Sequence, residues 1–521
     1  MDGNAECPGV MQQRRADKLR GRHPLHAEAI FRSKGQDAVT GQKLLILVIG
    51  AASIDTLATA MHAATQPVSR RAVPQCADAP LAAPSTDDRS ADVVIIGGGP
   101  AGSTAGALLA QKGWRVLLLE KDKHPRFHIG ESLLPLNLPL FEQLGCAPAV
   151  QEVALVKNSV HFHSMEHEAS QTFAFADAWD GVPKYAYQVR RSEFDQVLLQ
   201  HARSRGVEVI ESCRAHNVSF ESDRVSVQAN CGDARPINAT ARYLVDATGR
   251  DTFMASRLGI KRKNPKHTSA ALYGHFRGAQ RNAGAAEGDI EIYWFAHGWM
   301  WFIPLVDGTT SVGAVCWPYY LKTRDTDPST FFLRTLQTCP QLWERVKDAT
   351  LIEPATATGN YSYASDRMAG DRFVMIGDAF AFVDPVFSSG VYLAMSSAQF
   401  ASELIDGALR DPSSVARLNR AFERRVRRGL KTFTWMIYRM TSPIMRNLLM
   451  RPRDIFGVQR AVISFLAGDV YDSGPVRRRV MMFRGIYYLS SIKHWRQAWR
   501  SVVNRNNAIR PQPICATDGS G

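Results

Sequence analysis

Gly97, Gly99 and Gly102 are spaced G-x-G-x-x-G, and Glu120 follows 23 positions after the first of them. The first glycine permits a tight turn, the second admits a pyrophosphate to the backbone N–H groups at a helix N-terminus, and the third lets the helix pack closely. A carboxylate at the distance of Glu120 accepts ribose hydroxyls, so the chemistry implied is dinucleotide binding. A second group is Gly298-Trp299-Met300-Trp301-Phe302-Ile303-Pro304. On a strand, residues 299 and 301 share one face, and two indoles there make a rigid apolar wall. In a third group, Asp384-Pro385-Val386-Phe387-Ser388-Ser389-Gly390-Val391, small residues precede a helical stretch, where free N–H groups can cradle an anion. His163, Glu166 and His167 read H-x-x-E-H, a zinc pattern that needs a helix. The preceding "SVHFHS" alternates as a strand, so these are expected to be sheet-surface residues, and no metal is assigned.

These groups need particular elements to hold them. "DVVIIGGGPAGSTAGALLAQKGWRVLLLEKD", from Asp92, reads as a buried strand, a glycine turn, an Ala/Leu helix and a second strand ending at Glu120, which is a βαβ unit. From about 159 to 320 the chain alternates Tyr, Trp, Phe, Val and Ile, and Val306-Asp307-Gly308-Thr309 carries the Asp-Gly signal of a tight hairpin. An antiparallel sheet is expected there. After Gly390 the reading is helical to the end. The fold class expected is α/β, with a Rossmann-type dinucleotide-binding domain, an antiparallel β-sheet substrate domain and a C-terminal helical region. The two domains should be interleaved over 91–410, with the sheet domain at roughly 155–185 and 260–355, and the helical region should run over 411–521.

At 521 residues and 45% hydrophobic content the chain can bury a large core, which excludes disordered and collagen-like classes. Its net charge of +14 is uneven. Residues 411–521 hold 21 Lys and Arg against 6 Asp and Glu, while the rest is nearly balanced at 42 against 43. The basic helices include Arg424, Arg425, Arg427, Arg428, Lys431, Arg477, Arg478 and Arg479, interleaved with Trp435, Tyr438, Trp495 and Trp499. They resemble no nucleic-acid module. Three readings remain: docking of an acidic carrier protein, adsorption to an anionic membrane surface, or a solvated face of helices capping a pocket. Eight cysteines lie scattered without a C-x-x-C pair, which fits a reducing compartment, the cytoplasm, and thiols outside any disulfide scaffold. Residues 1–90 read as an extension, disordered or upstream of the true start. Its apolar stretch from Leu44 to Ala64 is weakly hydrophobic for a membrane span.

"VRRSEFDQVLLQHA" (189–202) and "DRFVMIGDAFAFVDPVFSSGVYLA" (371–394) resemble the flavoprotein hydroxylase superfamily. That resemblance implies FAD, with Arg191 near the pyrophosphate and Asp378 near the ribityl-phosphate. It also implies a cofactor shell that takes in Gly97, Gly99, Ala101, Gly102, Glu120, Lys121, Glu131, Ser132, Pro385, Gly390 and Val391. Where hydroxylases carry an Asp-Gly fingerprint for NADPH, this chain has "DATGRDTFMASR" (246–257), so a separate flavin reductase is expected to deliver reduced FAD.

Three segments are similar to flavin-dependent halogenases, and the likeness spans about 91–410. Trp299 and Trp301 match that family's W-x-W-x-I-P signature, a wall thought to keep the organic substrate from the flavin. Lys157, in "ALVKNSVHFH", falls where the family carries its essential lysine, which captures or polarises hypohalous acid. Ser389 and Gly390 fall at the family's halide site, chloride or bromide, with Ser388 beside them. Gly130-Glu131-Ser132-Leu133-Leu134-Pro135 matches the strap between flavin and lysine. Halogenases of free tryptophan carry Glu where this chain has Phe387, so the resemblance implies the branch acting on phenols or pyrroles, free or tethered to an acyl or peptidyl carrier protein. The alternative is an aromatic monooxygenase or reductase of the same fold.

Overall fold

The computed structural model describes residues 87–509, apart from 233–234, 360–361 and 472. The expectations for residues 1–86, including the Leu44–Ala64 stretch, fall outside the described residues. Val93–Ile96 and Val116–Leu119 are buried at every position, as continuous apolar runs must be in a sheet covered on both faces. They lie in a five-stranded parallel sheet whose order is Phe373–Met375, Tyr243–Asp246, Val93–Ile96, Val116–Leu119, Glu208–Ile210. The helix Pro100–Gln111 crosses between its first two strands in sequence, with Pro100 at the first helical position, where a missing N–H costs nothing. The helix Gly390–Arg410 packs beside it.

A larger sheet follows the order Thr350–Leu351, Ala270–Arg277, Thr309–Cys316, Gly298–Pro304, Ile290–Phe295, Ser159–Ser164, Ala169–Ala174. Its pairings are antiparallel except between Ile290–Phe295 and Ser159–Ser164, which run parallel. The expected hairpin forms: Leu305 N–H donates to Thr309 O at 2.8 Å, Gly308 takes φ +81°, and Asp307 Oδ1 accepts from Thr309 N at 3.0 Å. That turn sets the register Trp299↔Val315 and Trp301↔Gly313. The sheet's two faces divide the core. Trp294, Trp299, Trp301 and Ile303 join the nucleotide-domain core, whereas Tyr293, Met300 and Phe302 pack beneath Phe331 and Phe332. His163 sits on the strand Ser159–Ser164, stacked on Tyr293, and His167 lies in the turn after it, so the strand reading of this segment holds.

One cysteine expectation is corrected. Cys213 and Cys231 form a disulfide, because the strands Cys213–Phe220 and Val225–Cys231 pair so that the two residues stand directly opposite, a register the spacing alone does not reveal. In the C-terminal region, the helix Val415–Ile437 buries Phe422, Val426, Gly429, Phe433 and Met436 at helical spacing and turns Arg424, Arg427, Arg428 and Lys431 to solvent. For this helix the solvated-face reading of the basic residues applies. Among the described residues, no helix is long and apolar enough to cross a membrane.

Candidate functional site

The βαβ turn and the large sheet enclose a cavity of about 810 Å³, within the size range of cofactor sites. Gly97, Gly99, Ala101, Glu120, Lys121, Arg191 and Asp378 line its polar part, with Trp299, Trp301, Ile292, Phe382 and Val391 along its apolar part. Glu131, Ser132, Pro385, Ser388 and Gly390 complete the expected set around the wall. Gly102 lies behind it: a Cβ there would stand 1.9 Å from Gly97 O, so its hydrogen is what lets the helix close on the turn. Gly97, at φ +105°, has Ala247 O 2.4 Å from where its own Cβ would be. Glu120, buried at the strand end, accepts from Gly98 N and, at 2.9 Å, from Asp122 N. Arg191 is held by two hydrogen bonds to Asp195, at 2.8 and 3.0 Å, and gives a third to Ile129 O at 3.0 Å. Burial pushes the carboxyl of Asp378 up to about 7, against the opposing pull of Arg191 and Arg250.

These features fit FAD. A glycine turn that a single Cβ would obstruct, an adjacent helix N-terminus and a carboxylate suit a dinucleotide's phosphates and ribose, while the indole-lined end suits a flat ring system. "DATGRDTFMASR" has a structural part as well. Asp246 accepts from Thr248 N, Thr248 Oγ1 and Met254 N, fixing the loop beside the glycine turn.

Trp299 and Trp301 stand 5.9 Å apart between ring centroids, tilted at 46°, and Trp301 Nε1 donates to Ser311 Oγ at 3.2 Å. A Cβ on Gly313, the residue paired across the sheet, would come within 2.2 Å of the Trp301 ring. The indole therefore lies over Gly313, a dependence that only the register exposes.

Lys157 is not among the residues lining the cavity; it lies behind the strap. It is fully buried (0% exposed), and its Nζ donates to Ser132 Oγ at 2.9 Å and to Leu133 O at 2.6 Å. Ser132 lines the cavity, so one hydroxyl separates the amine from the flavin site. Burial lowers the Lys157 pKa to about 7, with Asp289 pulling the other way. The strap is fixed by Leu133 N–H to Tyr187 O, by Val189 N–H to Glu131 O, and by His275 Nε2 against Glu131 Oε1 at 2.8 Å.

At the anion loop, Ser388 takes φ +52°, a strained conformation for a residue with a Cβ, and its N–H closes a turn on Pro385 O at 2.8 Å. Ser388 and Gly390 border the cavity, whereas Ser389 lines a separate void of about 30 Å³ with Phe433 and Val426. Phe387 is buried edge-on against Phe465, 5.6 Å between centroids, so a helix of the C-terminal region closes over the position where a carboxylate is absent.

Sequence reasoning missed His267 and Ser269. His267 Nε2 meets Asp384 Oδ2 at 2.8 Å, Ser269 Oγ lies 3.3 Å from both, and Asp384 Oδ1 accepts from Val386 N at 3.1 Å. The buried pair ties the start of the anion loop to the approach to strand Ala270–Arg277. Its partners are 117 residues apart, and the only local sign was a His and a Ser two positions apart on an extended segment. Replacing His267 by alanine leaves Asp384 buried without its imidazole. The expected cost is about 2 kcal/mol of unfolding free energy in denaturant titration of the flavin-loaded protein, and unchanged stability would contradict the pairing.

A family model described as "FAD binding domain" matches residues 90–435. The chain is 31% identical over 411 residues to 1H-pyrrole-2-carbonyl-(peptidyl-carrier protein) chlorinase of Pseudomonas fluorescens, a match covering 74% of this chain and 90% of that protein. Among solved structures, a flavoprotein/dehydrogenase from Cytophaga hutchinsonii aligns at TM-score 0.72 and 25% identity, over 78% of this chain and all of that one. The myxobacterial chondrochloren halogenase CndH aligns at TM-score 0.65 and 30% identity, over 77% and 97%. With the cavity's fit to the cofactor and the extent of these matches, the chain belongs to the flavin-dependent halogenases, oxidoreductases that use FAD.

Proposed function

We propose that this halogenase installs chloride or bromide on an electron-rich ring, a phenol or a pyrrole, by way of Lys157. The observation that carries the reading is the Lys157 amine: fully buried, its pKa lowered by burial to about 7, and one hydroxyl from the flavin cavity. Reduced FAD, when bound and supplied with O2, provides the two-electron oxidation of halide to hypohalous acid. Ser388 and Gly390 border the cavity at a helix N-terminus, which favours an anion there, and Ser389 is that helix's N-cap. Trp299 and Trp301 keep the organic ring away from the isoalloxazine end. A neutral amine has two N–H bonds and one lone pair. In Lys157 both N–H bonds are directed at Ser132 and Leu133, which leaves the lone pair to take the halogen of hypohalous acid. The N–halogen bond forms as the O–halogen bond breaks, the hydroxide departs as water with one amine proton, and the ring proton displaced on transfer to the substrate restores the amine.

The alternative, oxygen insertion by a monooxygenase of this fold or a reductase, gives no role to a buried amine at this position. The apolar packing of Phe387 supports a ring that needs no carboxylate to assist it. The pyrrole chlorinase from Pseudomonas fluorescens acts on a ring held by a peptidyl carrier protein, which supports a tethered ring as one form of the substrate here. Reduced flavin from a separate reductase completes the reading. Its test is a paired assay in which pyrrole-2-carboxylate and simple phenols are offered free and as thioesters of a holo-carrier protein, with reductase, NADH, FAD and each halide. Halogenated product from either form supports the reading, and the faster form identifies the substrate. Failure of both forms, with a hydroxylated product instead, would overturn it.

A further inference from the structure

The last two described helices, Gly474–Lys493 and Trp495–Ile509, carry eight Lys and Arg and no Asp or Glu. Met481, Leu489 and Ile492 share one face of the first helix, and Trp495, Trp499 and Val502 share one face of the second, which starts after the helix break at His494; such spacing ordinarily buries a helix face against its protein. Here the face is turned outward: Leu489 is 69% exposed, Ile492 71%, Trp495 63% and Trp499 67%. Arg477, Arg478, Lys493, Arg496 and Arg500 are exposed beside it, and none makes an ion pair among the described residues. Lys493, Arg496 and Arg500 each follow an apolar member by one position, about 100° round the helix, so charge runs alongside the stripe.

We propose that this stripe is a membrane-surface site that lays the two helices in the interface of a bilayer containing anionic lipid. A monomer rarely exposes so many large apolar side chains together without a partner. The occupant must accept indoles and aliphatic chains in an apolar layer and meet guanidinium groups with negative charge just above it. That is the layering of an anionic leaflet, where Trp favours the interface and Arg and Lys favour the phosphate plane. The acidic surface of a carrier protein would match the charge, but exposed apolar faces on two successive helices, each with Lys or Arg beside its Trp and Ile residues, suit an interfacial layer better than the compact, charge-depleted apolar centre of a protein interface. The two helices also lack the length and apolarity to span, so binding is confined to the surface. The enzyme would then work beside a lipid-soluble pool of substrate or product.

The test uses the full chain loaded with FAD, sedimented with vesicles of phosphatidylcholine alone or with about one third phosphatidylglycerol. Two variants accompany it, Ile492→Ser/Trp495→Ser/Trp499→Ser and Lys493→Gln/Arg496→Gln/Arg500→Gln, each checked for flavin absorbance and melting temperature against the parent. The proposal expects binding to the anionic vesicles that weakens with salt, little binding to phosphatidylcholine, and a loss of roughly tenfold or more in partitioning for either variant. Absence of binding to anionic vesicles overturns it. Binding that both variants retain also overturns it, because another part of the chain would be responsible. Capture of an acidic holo-carrier protein through the stripe, with no vesicle binding, would assign the surface to that partner instead.

Discussion

Lys157→Met removes halogenated product by a factor on the order of 10³ or more, while flavin absorbance and FAD affinity stay at parental values. Methionine nearly preserves the volume of the buried side chain and deletes the amine to which the proposed reaction assigns the halogen. The cavity-lining residues are untouched, since Lys157 lies behind Ser132 rather than in the wall. Flavin reoxidation should therefore continue and release peroxide in place of product. The same amine sets the pH dependence. Its pKa, lowered by burial to about 7, leaves it protonated below that pH and neutral above it. Capture of an electrophile needs the lone pair, so the single-turnover halogenation rate rises through pH 7 and levels off above it. A pyrrole substrate, whose ring does not ionise in this range, keeps substrate titration out of the profile. A rate that falls as the pH rises through 7 would mean that the ammonium form polarises the halogen donor by hydrogen bonding, and would contradict capture.

Gly102→Ala should weaken FAD binding by on the order of 10²-fold, equivalent to the upper end of the cost of overpacking a rigid core. The added methyl would sit 1.9 Å from the carbonyl oxygen of Gly97, a backbone atom in a turn tied down by Gly97 N–H to Leu119 O and Ala247 N–H to Ile96 O. Either the helix Pro100–Gln111 moves away from the turn or the turn opens, and both displace the N–H groups at the helix N-terminus that would face a bound pyrophosphate. Titration of apoprotein with FAD, followed by flavin fluorescence, measures the effect. Parental affinity would show that the turn yields more easily than its packing indicates.

The glycine turn was legible in the sequence because its whole mechanism lies within 28 consecutive residues, from Val93 to Glu120. The hairpin at Asp307-Gly308 was legible for the same reason, and strand alternation alone put Trp299 and Trp301 on one face. Contacts between distant segments were not. Lys157 could be singled out by resemblance, yet its burial and its two acceptors come from a strap about 25 residues upstream. Likewise Gly313 beneath Trp301, the Cys213–Cys231 bridge and the His267–Asp384 pair follow from sheet register and loop closure, which periodicity does not specify. The split between Ser388 and Ser389 is of the same kind. The motif presents both as candidates, and the left-handed conformation of Ser388 decides which one borders the cavity. The basic tail shows the limit from the other side. Composition marked it as unusual, but only exposure separates Val415–Ile437, whose apolar face is buried, from the last two helices, whose apolar stripe is not.

The most direct test of the account is mass spectrometry of product formed by the purified protein with a flavin reductase, NADH, FAD, O2 and bromide or chloride on phenols and pyrroles, run beside Lys157→Met. The account predicts a halogen isotope pattern in the product that follows the halide supplied and disappears in the variant. A product carrying one added oxygen, formed equally by parent and variant, would contradict it.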